Sequence, residues 1–80
     1  MYKLELKVNN KVYKEEGKTV LGAFNRLHIP KLCKTRGILT VKKDKLKPYE
    51  RSFSILKLRL IDAKPFHREV LSKTITNYLK

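Results

Sequence analysis

The chain reads as one α+β domain in the order strand–strand–helix–strand–strand–helix, and three observations predict it. Residues 2–8 alternate apolar and charged with a period of two, the mark of a strand with one buried face. Residues 19–28 set Val20, Ala23, Phe24 and Leu27 at helical spacing behind a threonine. Residues 65–79 carry a longer helical stripe opened by Pro65. Eighty residues fit a single domain, 1–80, small enough to bury only a limited share of its surface.

In the first strand Tyr2, Leu4, Leu6 and Val8 share one face, and Lys3, Glu5 and Lys7 share the other. Asn9-Asn10 follows; asparagine tolerates positive φ and suits a tight hairpin turn. Lys11–Glu16 returns as the second strand, with Val12 and Tyr13 as its apolar contacts, and Gly17 ends it. The Thr19 hydroxyl can cap the first helix. Gly22 weakens that helix by about 1 kcal/mol relative to alanine, which points to a close backbone approach there. Pro30 disfavours helical geometry at Ile29, so the helix ends near His28. Residues 31–37 read as a basic loop closed by Gly37, and Ile38, Leu39 and Val41 as a short strand. Pro48 sits in the basic turn that follows, and proline is excluded from a central strand. From Ser54, Leu56, Leu58 and Leu60 alternate with Lys57, Arg59 and Ile61, which reads as a strand. The alternative is a short helix with Phe53, Leu56 and Leu60 as its stripe. Pro65 suits the first turn of the last helix. Phe66, Val70, Leu71, Ile75, Tyr78 and Leu79 would form its buried face, and His67, Arg68, Lys73 and Asn77 its wet one.

A hairpin, a helix and returning strands is the β-grasp order, and one stretch resembles the plant-type ferredoxin branch of that fold. It runs Gly17-Lys18-Thr19-Val20-Leu21-Gly22-Ala23, then Leu27-His28-Ile29-Pro30, then Cys33-Lys34-Thr35-Arg36-Gly37. The resemblance covers about 25 residues and implies a small mixed sheet. The cluster cysteines of that family are spaced C-x₄-C-x₂-C. Counted from Cys33, that spacing falls on Ile38 and Val41, and the chain has a single cysteine. One thiolate cannot hold an iron–sulfur cluster, so electron transfer and the cluster as cofactor are excluded. Ubiquitin-like members of the fold act as binding surfaces, so the resemblance also implies a protein partner.

Catalysis needs a convergent set of groups, and no such set is legible. His28 and His67 are far apart in sequence. His67 and Glu69 are two residues apart, which points them to different helix faces. Cys33 reads as a small hydrophobe; were it exposed, Lys31, Lys34 and Arg36 would favour its thiolate. No glycine-rich phosphate loop is present. The expectation is a protein that is not an enzyme and uses no cofactor or metal. A single cysteine fits a reducing compartment, no run approaches the roughly 20 apolar residues of a membrane span, and cytoplasmic residence is expected.

Charge is the strongest signal. Twenty Lys and Arg against seven Asp and Glu give a net +13, and the excess is spread over both halves of the chain. Such an imbalance favours association with phosphate backbones. Its densest stretch holds Lys31, Lys34, Arg36, Lys42, Lys43, Lys45, Lys47 and Arg51, against Asp44 and Glu50. Tyr49 lies inside it and is a candidate to stack on a base. These nine residues form the expected nucleic-acid site, binding DNA or RNA through phosphate contacts in a regulatory or accessory role, without a motif for sequence readout. Fifteen of the twenty cations are lysine, which also fits the ordinary solvated surface of a protein from a low-GC genome. The rival expectation is a protein-interaction module, of the kind phages and bacteria use to bind an acidic host protein, presenting a sheet edge or the face of Lys57 and Arg59.

Overall fold

The computed structural model describes residues 1–31 and 34–80; Cys33, singled out above, lies outside them. Seven elements follow in order: β1 (Tyr2–Val8), β2 (Lys11–Gly17), α1 (Val20–Arg26), β3 (Arg36–Lys43), β4 (Tyr49–Ser54), α2 (Ile55–Asp62) and α3 (Pro65–Tyr78). The protein is a small α+β domain with one four-stranded sheet in the order β2-β1-β3-β4, antiparallel throughout.

The two hairpins form where the backbone can take positive φ. Asn9 (φ 55°) turns β1 into β2, and Asp44 (φ 51°) turns β3 towards β4; Asn and Asp are the residues that accept this conformation most readily after glycine. Thr19 caps α1 by accepting from the Gly22 N–H at 3.0 Å. A side chain at position 22 would itself stand 3.0 Å from the Thr19 hydroxyl. The close approach expected at Gly22 is therefore to the cap.

The alternation of β1 does what it predicts. Tyr2, Leu4, Leu6 and Val8 are buried, with Leu39 and Val41 of β3 and Phe53 of β4 on the same face. The helices cover that face: α1 packs on β1, β2 and α3, and α2 packs on β4 and α3. Val20, Ala23 and Phe24 of α1 complete the core with Ile55, Leu58, Ile75 and Leu79.

Three expectations are corrected. First, residues 55–62 are helix, not strand. Ser54 caps the segment by accepting from the Lys57 N–H at 3.2 Å, and the Ile55 N–H donates to the Thr35 carbonyl at 2.8 Å. The leucine alternation also fails as a strand pattern, because Leu58 is buried while Leu56 and Leu60 are exposed. The buried stripe is Ile55 and Leu58, not Phe53, Leu56 and Leu60. Strand β4 instead occupies Tyr49–Ser54, at the sheet edge where the preceding Pro48 is harmless.

Second, the mixed sheet of the β-grasp reading is replaced by an antiparallel one. Strand β4 runs in the direction of β1, but β3 stands between them, antiparallel to both. Strand β3, which α1 returns to the Val8 end of the sheet, pairs directly and antiparallel with β1. The order becomes ββαββαα.

Third, α3 is turned about its axis relative to the expected face. Ser72, Ile75 and Leu79 are buried and Leu71 is half-buried, whereas Phe66 (71% exposed), Val70 and Tyr78 face outward. The reason is the partner helix. Helix α3 packs on α1 and α2, and Ser72 lines a cleft there with the Thr19 cap and with Val20 and Leu21 of α1. Arg68, expected on the wet face, reaches back to donate to the Asn25 Oδ1 at 2.8 Å. Among the described residues no helix is long and apolar enough to cross a membrane.

Candidate functional site

The register of the sheet decides how the expected basic site is distributed. Strand β3 has eight residues, so its ends lie about 23 Å apart at the usual rise per residue. Arg36 stands at the end shared with Val8 and Ser54, and Lys34 leads into it; Lys42, Lys43, Lys45 and Lys47 stand at the end shared with Tyr2 and Tyr49. The nine residues adjacent in sequence therefore do not form one patch.

At the Tyr2 end the strand pairing adds cations that local sequence does not reveal. Lys3 lies opposite Lys42, and the two line a shallow cleft with Met1 and Asp44. Gly17 lies opposite Tyr2, which lies opposite Lys43, so Lys18 emerges at the same end. Lys43 places its Nζ 5.0 Å from the centre of the Tyr2 ring, a cation–π contact that holds it at the sheet edge. Lys3, Lys18, Lys42, Lys45 and Lys47 are exposed, and none of them has an ion-pair partner among the described residues. The nearby acids are Glu16, opposite Lys3, and Asp44 in the turn. Each phosphate that such a lysine neutralises releases a cation condensed on the polyanion.

The open face of the sheet is different in kind. Lys3 sits between Glu16 and Lys42, Glu5 between Lys14 and Thr40, and Thr40 beside Glu50. Opposite charges across strands stabilise a sheet, and their alternation leaves no continuous positive plate. The Lys3–Lys42 pair is the part of this face that belongs to the basic end.

Arginine and lysine divide the work. Arg36 donates from Nε to the Ser52 Oγ at 3.2 Å, tying β3 to β4. Arg26 donates to the Glu16 carbonyl and faces the Glu15 carboxylate at 3.7 Å. Arg68 holds Asn25. These forked side chains serve the scaffold, so Arg36, expected in the nucleic-acid site, is a strand-to-strand tie.

The other expected residues fall elsewhere. Tyr49 is only 7% exposed and packs edge-on against Tyr78, ring centres 5.5 Å apart. It closes the core edge and lines, largely buried, a groove between β4, α2 and α3. Arg51 projects to the helix side of β4, its guanidinium 5.7 Å from the Phe53 ring centre. There it lines the same groove, of about 440 Å³. His28 is exposed beside Tyr13, ring centres 5.6 Å apart. Among the described residues no three of His, Cys, Asp and Glu stand close enough to hold a metal.

Lys3 and Lys18 were missed because their membership depends on strand pairing, which no local pattern reveals. The groove was missed because Phe66 and Val70 read as core. In comparisons with known protein families, curated proteins and solved structures, no match was found.

Proposed function

We propose that this protein binds nucleic acid through phosphate contacts made by the lysine-rich end of its sheet. The observation that carries the reading is the convergence of Lys3, Lys18, Lys42, Lys45 and Lys47, exposed and without ion pairs among the described residues, on a chain of net charge +13. Lysines of this kind act as mobile point charges. They suit a backbone of regularly spaced phosphates and do not select bases. The binding is accordingly non-specific, and DNA and RNA are both partners.

The experiment is a salt series. Anisotropy of a labelled oligonucleotide is titrated with the protein between about 50 and 200 mM monovalent salt, the range over which phosphate contacts separate clearly. Four to five lysine–phosphate contacts predict a log–log slope of about −4, since each contributes roughly 0.9 on a duplex. A slope near zero, or no binding at the lowest salt, refutes the proposal.

A protein partner is the second reading, and the apolar groove beside β4 is what favours it. It predicts saturable binding of an acidic partner with weak dependence on salt, because a shaped apolar anchor, not counterion release, would supply the affinity.

A further inference from the structure

The apolar side chains that α3 turns outward are not scattered. Phe66 and Val70 face Phe53 of β4 and Ile61 of α2 across the groove, so its walls are apolar on both sides. Arg51, Lys57 and His67 line the same groove, and no carboxylate does so among the described residues. Both Arg51 and Lys57 are held over the Phe53 ring, at 5.7 and 6.0 Å from its centre. The ring fixes their charges beside the apolar floor. The result is an apolar slot whose charged lining residues, Arg51 and Lys57, are both cationic.

Such a slot is complementary to a flexible polyanion that carries flat apolar faces. Single-stranded nucleic acid has that chemistry: phosphates along its length, and bases free to stack on aromatic rings. A duplex hides its bases and offers the groove only phosphate. Position supports the same occupant. Arg51 follows Lys47 by four residues, at most about 14 Å of extended chain. One strand lying on the lysine-rich end can thus run along β4 into the groove.

We propose that this groove takes unpaired bases of single-stranded DNA or RNA, with Phe66 as the stacking platform and Arg51 and Lys57 holding the flanking phosphates. The inference rests on the nucleic-acid reading above and adds to it a preference for single strands. It also explains why Phe66 is exposed on a helix whose other large apolar residues could have covered it.

The test compares a labelled oligothymidine of about 12 nucleotides with a duplex of equal length, for the wild type, Phe66→Ala and Phe66→Tyr. The position is mostly exposed, so both variants should keep the wild-type urea midpoint, which is checked first. The wild type should prefer the single strand. Phe66→Ala should weaken single-strand binding about tenfold, within the range for one stacked base, and leave duplex binding unchanged, while Phe66→Tyr keeps the ring and the affinity. Unchanged single-strand binding in Phe66→Ala overturns the groove proposal and leaves phosphate binding standing. Equal weakening for both probes also overturns it. Failure of the wild type to bind either probe removes the nucleic-acid reading and the inference with it. An acidic amphipathic peptide that binds wild type but not Phe66→Ala, and that the oligothymidine does not displace, assigns the groove to a protein and overturns the proposal.

Discussion

Phe24→Ala should leave most molecules unfolded in modest denaturant, or at 25 °C without it. Phe24 is 1% exposed and is the largest fully buried side chain. It projects from α1 into the layer between the helices and the sheet, where Leu4, Leu6 and Leu39 have no other aromatic partner of its size among the fully buried residues. Removing a buried phenylalanine costs about 3–5 kcal/mol. A domain of this length has a total stability of roughly 4–12 kcal/mol, at the usual 0.05–0.15 kcal/mol per residue. The substitution therefore removes about a quarter of the stability at least, and in the lower part of that range nearly all of it. Urea denaturation followed by circular dichroism checks this. With a slope near 1 kcal/mol per molar, expected for a small domain, the midpoint should fall by about 3 M or more. A fall under about 1 M would mean that α1 does not seat Phe24 in the core.

The triple exchange of Lys42, Lys45 and Lys47 to Glu should nearly abolish nucleic-acid binding while leaving the fold in place. All three side chains are exposed and none has an ion-pair partner among the described residues, so the structural cost is that of surface substitutions. Each exchange moves the net charge by two units, from +13 to +7 for the three. Loss of three phosphate contacts should flatten the salt slope by about 3 and lower affinity on the order of a hundredfold near 0.1 M salt. Lys34 exchanged to Glu serves as the control, since it leads into β3 at the opposite end. Anisotropy titrations of the two variants should differ by at least tenfold. Equal losses per exchange would mean that only the overall charge matters, and not the lysine-rich end.

Those contrasts mark what was legible in the residues alone. Strand β1 was readable because its alternation is strict and its apolar face meets a single covered side of the sheet. The turn at Asn9, the cap at Thr19 and the start of α3 at Pro65 were readable because each depends on chemistry local to a few residues. The segment at 54–62 was not, since leucines at 56, 58 and 60 satisfy strand and helix patterns alike. The deciding event is the Ser54 cap together with the hydrogen bond from Ile55 to Thr35, a contact between distant parts of the chain. The face of α3 misled for a related reason. Apolar residues surround that helix, and the ones that enter the core lie on the side that packs against α1 and α2, a choice no local pattern reveals. The site was legible as a charge excess but not as a place. Residues 31–51 are dense in cations by sequence, yet the length of β3 separates them, and the pairing of β1 with β3 brings Lys3 to Lys42 instead.

Amide chemical-shift mapping of the ¹⁵N-labelled protein with an unlabelled short duplex oligonucleotide tests the central claim most directly. The account predicts perturbations concentrated at residues 42–47 with Lys3 and Lys18, and little change at Lys34 and Arg36. Perturbations centred on the 34–36 end or on the open sheet face around Glu5 and Thr40, or none at saturating oligonucleotide, would contradict it.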